Sequence, residues 1–128
     1  MFLEKGRDIG GALMLRNAST GLVVAGHVEL AMRRAARNKG LLGRDALARD
    51  HALLIAPCWS IHTWFMRFPI DVIFLARDGR VMKTRLDIGP WRMALARGAY
   101  AVVELAAGAL ANTPLKTGDR LELVPRFT

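Results

Sequence analysis

The sequence predicts a mainly β domain, a small antiparallel sandwich or barrel-like sheet with one or two short helices. Three observations predict it. Turn-forming residues separate short aliphatic runs along most of the chain. Asp78-Gly79 sits between two apolar segments, the strongest short-range hairpin signal in the sequence. Only one stretch, Glu29 to Asn38, carries a sustained helix-forming composition.

Taken in order, Ala12 to Val28 reads as two strands joined by Asn17-Ala18-Ser19-Thr20-Gly21. Glu29 to Asn38 then reads as a short helix, stopped by Gly40 just past its end. Gly40-Leu41-Leu42-Gly43-Arg44 makes a glycine-punctuated corner, and Asp45 is placed to cap a single turn through Arg49. Ala52 to Ala56 is a short strand. After Pro57, alternation places His62, Trp64 and Met66 on one side of a strand and Thr63, Phe65 and Arg67 on the other. Pro69 breaks that strand. Ile70 to Ala76 and Arg80 to Leu86 form the hairpin around Asp78-Gly79, whose two residues are expected to supply positive φ. Gly89-Pro90-Trp91 opens a loop, Tyr100 to Leu105 is a strand, Ala106 to Ala111 a helical turn, and Arg120 to Val124 the last strand.

The 128 residues suit a single domain, 1–128, with no repeat and no linker long enough to divide it. With 52% hydrophobic and 23% charged residues, the chain has a globular rather than a disordered composition. No apolar run approaches the ~20 residues of a membrane span. The first residues lack the apolar core of a signal peptide, so a cytoplasmic location is the expectation. Cys58 is the only cysteine, which excludes an internal disulfide and a multi-thiolate zinc site within one chain. The net charge of +8 comes from arginine spread along the chain, with Arg33, Arg34 and Arg37 as the tightest group. That balance permits contact with nucleic acid or an anionic surface, but no nucleic-acid-binding signature accompanies it, so nucleic acid is not the expected partner.

Several blocks of the sequence together resemble a known family. They are Gly40-Leu41-Leu42-Gly43-Arg44, Trp64-Phe65-Met66 leading into Pro69-Ile70-Asp71-Val72-Ile73-Phe74-Leu75, Asp78-Gly79, Val103-Glu104-Leu105-Ala106-Ala107-Gly108 and Gly118-Asp119. The pattern is similar to that of domain-of-unknown-function family 192, also called uncharacterised protein family 0127, and covers most of the chain. Leu42 stands where many members have Met, and Arg67-Phe68 where many have Lys-Asn. The resemblance implies a small, mainly β, sandwich-like domain and no particular reaction.

The segment from Cys58 to Asp71 concentrates a thiol, an imidazole, indoles and a carboxylate between apolar pieces. One chemistry for it is a thiolate nucleophile, Cys58, activated by His62 and oriented by Asp71. A fully extended path would hold Cys58 and His62 roughly 13 Å apart, so this needs a turn between them. A metal site from Cys58 and His62 with His51 or Asp71 has too few ligands for structural zinc. A purely structural reading carries the most weight: Cys58 a small buried hydrophobe, His62 bonded to a carbonyl, Asp71 accepting backbone amides. Between these lies a binding pocket walled by Trp59, Trp64 and Met66 and oriented by His62, Arg67 or Asp71. Of the functional readings this one stands first, with His62, Trp64, Met66, Asp71 and Cys58 as binding residues and a small molecule or short peptide as ligand. No catalytic residue, metal or cofactor is assigned. The alternatives are an accessory protein acting through surface contacts, or a cysteine-dependent enzyme using Cys58 and His62.

Overall fold

The computed structural model describes residues 12–126, so the leading segment read above for a signal peptide lies outside the described residues. The elements run β1 (Leu13–Asn17), β2 (Val23–Ala25), β3 (His27–Ala31), α1 (Arg34–Lys39), β4 (His51–Ile55), β5 (Ser60–His62), β6 (Ile70–Leu75), β7 (Val81–Ile88), β8 (Met93–Leu95), β9 (Ala101–Ala106) and β10 (Leu121–Pro125). The fold is mainly β, as the sequence predicts. Its strands form a five-stranded sheet ordered β3-β4-β9-β6-β7, a three-stranded sheet ordered β10-β1-β2 and a two-stranded ribbon β5-β8, with no closed barrel.

The five-stranded sheet is the frame. Every residue of β6 is buried, as are the first five of β9. Strands covered on both faces must be apolar on both, which is why Ile70 to Leu75 and Ala101 to Leu105 read as nearly continuous apolar runs. On one face Ala52, Leu54, Ile73, Leu75, Val103 and Leu105 pack against Leu13, Leu15, Leu121 and Leu123 of the three-stranded sheet. On the other, Leu53, Ile55, Val72, Phe74 and Val102 pack against Leu41, Leu47, Met66 and Ala94 from the segments that cross over it. Fully burying a side chain such as Phe74 or Ile73 contributes roughly 2 kcal/mol.

The Asp78-Gly79 hairpin forms, with β6 and β7 antiparallel and shifts of register near each end. Only Gly79 takes a positive φ, at 88°; Asp78 does not, so the turn is closed by one left-handed residue rather than two. The first hairpin also forms, β1 pairing with β2 and, on its other edge, with β10.

Further expectations need correction. The helix does not begin at Glu29. Residues His27–Ala31 pair in parallel with β4, and the Ala31 carbonyl accepts the Ala56 amide at 3.2 Å, so the backbone is committed to the sheet until α1 starts at Arg34. Helix propensity yields here to an open sheet edge. That pair also makes the sheet mixed rather than purely antiparallel. Asp45 caps no helical turn, and its carboxylate accepts a hydrogen bond from Arg67 Nη1 at 2.6 Å. Finally, the strand after Pro57 ends at His62. Thr63 Oγ1 donates to the Gly89 carbonyl at 2.6 Å and accepts from the Arg92 amide at 2.9 Å, and Phe65 turns into the left-handed region at φ 65°. Alternation therefore does not continue from His62 to Met66.

Ala106 ends β9, and residues 107–111 form successive turns rather than a helix, with two of their amides held by Asp71. Its carboxylate accepts the amides of Asp87 at 2.9 Å, Gly108 at 3.1 Å and Leu110 at 3.3 Å, while the side chain is only 2% exposed. Asp71 thus ties β6 to β7 and to the loop after β9. Replacing Asp71 by Ala leaves three backbone donors, the buried Leu110 amide among them, without their acceptor, and we expect a loss of about 3 kcal/mol in urea unfolding. A loss below about 0.5 kcal/mol would contradict this role.

Candidate pocket beside Glu104

Register decides which carboxylate faces which side of the frame. Asp71 pairs with Leu105, and Val72 with Glu104, so Asp71 and Glu104 point to opposite faces of the same sheet. On Glu104's face, α1 and the following glycine corner lean over β4 and β9, and the chain from Pro57 to Met66 closes the other side. Between them lies a pocket of about 350 Å³, a size suited to a small ligand. Ile55, Leu41 and Met66 give it apolar walls, Cys58 and His62 line it from the β5 side, and Arg37 and Lys39 of α1 line it from the other.

Glu104 also lines this pocket and is only 3% exposed. Its carboxylate makes no hydrogen bond with any described residue. Burial pushes its carboxyl up to about 7, opposed only in part by the charge of Arg44, which is itself paired with Glu29 at 2.8 Å. Gly40 backs onto this group: a Cβ at that position would stand 3.6 Å from Glu104 Oε1. Gly40 also adopts φ 48° and ψ −126°, a backbone shape that only glycine takes readily. A Cβ there would make an ordinary contact, so it is this backbone shape rather than lack of room that calls for glycine where the chain passes over the carboxyl.

The pocket brings together three of the residues singled out in the sequence, Cys58, His62 and Met66. Trp64 is not part of its lining; it stacks on the His62 ring at 4.8 Å between centroids and is otherwise exposed. Trp59 also faces solvent, and Arg67 pairs with Asp45. Asp71 lies on the other side of the sheet with its acceptors engaged. Glu104 and Lys39 are pocket residues that sequence reasoning passes over, and Arg37 enters it only as part of a basic group. A signal for Glu104 was present: an acid inside Val102-Val103-Glu104-Leu105 is as anomalous as Asp71 inside its own strand.

Thiolate chemistry finds little support in this geometry. Cys58 Sγ lies 3.1 Å from the Ser60 carbonyl and makes no hydrogen bond to His62, whose ring instead stacks on Trp64. Burial raises the Cys58 thiol above its ordinary value, and Glu104 adds to the rise while Arg37 opposes it. The group is therefore held as a thiol at neutral pH. Among the described residues no three His, Cys, Asp or Glu side chains are grouped so as to hold a metal ion.

The comparisons with known proteins agree with the fold. Residues 15–123 match the model of the uncharacterized ACR family, DUF192, and the chain belongs to that family. Two crystal structures are similar to it. A candidate transcription regulator from Sinorhizobium meliloti 1021 is 29% identical, with a TM-score of 0.72 over 86% of this chain and 90% of that one. A protein of unknown function from Novosphingobium aromaticivorans DSM 12444 is 27% identical, with a TM-score of 0.73 over 87% of this chain and 83% of that one. No curated protein matches the sequence.

Glu104 makes stability depend on pH in a definite direction. Its folded carboxyl value of about 7 lies above the ordinary 4.5, so the folded state holds the proton more tightly than the unfolded chain. The resulting stabilisation is complete below about 4.5 and is lost as pH rises through about 7. It amounts to about 3 kcal/mol. Glu104→Gln should abolish this slope and melt higher than the parent protein at alkaline pH. An unchanged pH profile in the variant would remove Glu104 as its source.

Proposed function

We propose that the protein is a small-molecule-binding domain that receives its ligand, or the end of a short peptide, in the pocket beside Glu104. One observation carries this reading: a buried carboxyl with no hydrogen-bond partner among the described residues faces a cavity of ligand size. Leaving such a group unpaired is costly, and a ligand group that donates to it recovers that cost. The ligand class follows from the walls. An amine head meets Glu104, and an aliphatic body lies against Leu41, Ile55 and Met66. His62 and Cys58 contribute polar contacts at the β5 side of a pocket whose lining is mixed, with Arg37 and Lys39 opposite them.

The name of the Sinorhizobium neighbour does not transfer readily. Recognition of DNA by a helix-turn-helix uses a recognition helix set against a second one, whereas α1 has six residues and stands alone among the described residues.

Primary alkyl amines and the matching neutral alcohols test the reading by thermal shift and calorimetry. Branched amines of the size of isopentylamine should raise the melting temperature and their alcohols should not. Binding should strengthen by about tenfold between pH ~6 and ~8, because Glu104 becomes anionic over that interval. Glu104→Gln should remove both the amine preference and the pH dependence. Equal responses to amine and alcohol, or an unaltered response in the variant, would refute the assignment.

A further inference from the structure

We propose that the β5–β8 ribbon docks the protein onto an anionic lipid surface. All three tryptophans of the chain, Trp59, Trp64 and Trp91, lie in or beside this ribbon and are exposed, at 49%, 42% and 58%. Phe65 is 71% exposed, Met93 58% and Leu95 42%. Pairing of Ser60 with Leu95 and of His62 with Met93 sets Met93 and Leu95 on one face of β8, while Ala94 between them is buried. At the end of the ribbon the Phe65 and Trp91 rings meet edge to face, 4.7 Å between centroids. Leu22, Val23 and Leu86 are exposed elsewhere, whereas the exposed aromatic side chains among the described residues are gathered here, and an apolar surface of this kind marks an interaction site.

The backbone holds the two most exposed aromatics in an unfavourable shape. Phe65 and Trp91 stand at φ 65° and 64°, a region that bulky side chains rarely enter. Asp87 shares this backbone shape, at φ 53°, but Phe65 and Trp91 are the aromatic residues so held, and their rings touch at the tip. Strain of this sort, observed at an exposed pair, points to a use for the presentation itself.

Charge selects the partner. Residues 58–70 and 88–100 contain Arg67, Arg92 and Arg97 and no acidic residue, within a chain of net charge +8. Arg92 and Arg97 are exposed and make no ion pair among the described residues, and Lys83 Nζ reaches the Leu95 carbonyl at 2.9 Å. Tryptophan and phenylalanine beside unpaired cations suit the boundary between acyl chains and anionic head groups. Single-stranded nucleic acid fits less well. It stacks on free aromatic faces, whereas one face of Trp64 is covered by His62, and Met93 and Leu95 offer no flat surface.

Because every tryptophan lies in or beside the ribbon, intrinsic fluorescence reads the proposal directly. The protein is mixed with vesicles of phosphatidylcholine, or of phosphatidylcholine with phosphatidylglycerol, and cosedimentation is followed alongside emission. Vesicles containing phosphatidylglycerol should bind the protein and shift its emission to the blue, binding should weaken as salt rises, and phosphatidylcholine alone should do neither. Phe65→Ser with Trp91→Ser, and separately Arg92→Glu with Arg97→Glu, should each weaken binding at least about tenfold. Circular dichroism checks that both variants fold, and Met93→Ser repeats the apolar arm with a smaller expected loss if the first pair does not. The proposal is overturned by no blue shift with phosphatidylglycerol vesicles, by binding indifferent to the apolar changes, or by a shift given by a single-stranded oligonucleotide and not by vesicles.

Discussion

Coverage of the five-stranded sheet on both faces is the constraint on which the rest of the structure depends. The three-stranded sheet takes one side, and α1 with the crossing segments takes the other, so β6 and β9 have no solvent face to which a polar side chain can turn. Each of these strands nevertheless carries one acid. Asp71 meets the constraint by accepting three backbone amides, and its charge becomes a structural clasp. Glu104, one position out of phase, meets it by lining a cavity and by holding its proton more tightly. Two carboxylates on neighbouring strands thus acquire different roles from the face each one occupies.

The same logic explains how the periphery is built. Gly40 lets α1 and its corner pass over Glu104, and the Thr63 bonds bend the chain after β5 so that Met66 folds back beneath the pocket while Trp64 and Phe65 turn outward. His62 belongs to both regions. It lines the pocket and stacks on Trp64, so the ribbon and the cavity share a side chain. A ligand entering beside His62 would pass the apolar ribbon.

Much of this was legible in the sequence wherever the signal was local. The Asp78-Gly79 turn and the anchoring of Asp71 follow from turn chemistry and from the cost of a charge in an apolar strand. What escaped depended on distant partners. Glu29, Leu30 and Ala31 favour a helix by propensity, but the edge of β4, twenty-four residues further on for each pair, recruits them as a strand. His62, Trp64 and Met66 alternate on paper, but hydrogen bonds from Thr63 to the Gly89 and Arg92 region end the alternation. Glu104 was visible as an anomaly, yet its significance rests on a register that places it opposite Val72 rather than Ile73. The pocket itself joins α1, β4, β5 and β9, and no local pattern encodes that meeting.

Glu104 is a buried carboxyl that faces a cavity with no hydrogen-bond partner among the described residues, and a carboxyl-detected NMR titration of this one side chain measures that state directly. With Glu104 assigned by comparison with Glu104→Gln, the account predicts a carbon shift that titrates with a midpoint of about 7. A midpoint near the ordinary 4.5 would show the group to be solvated or paired, and would contradict the account.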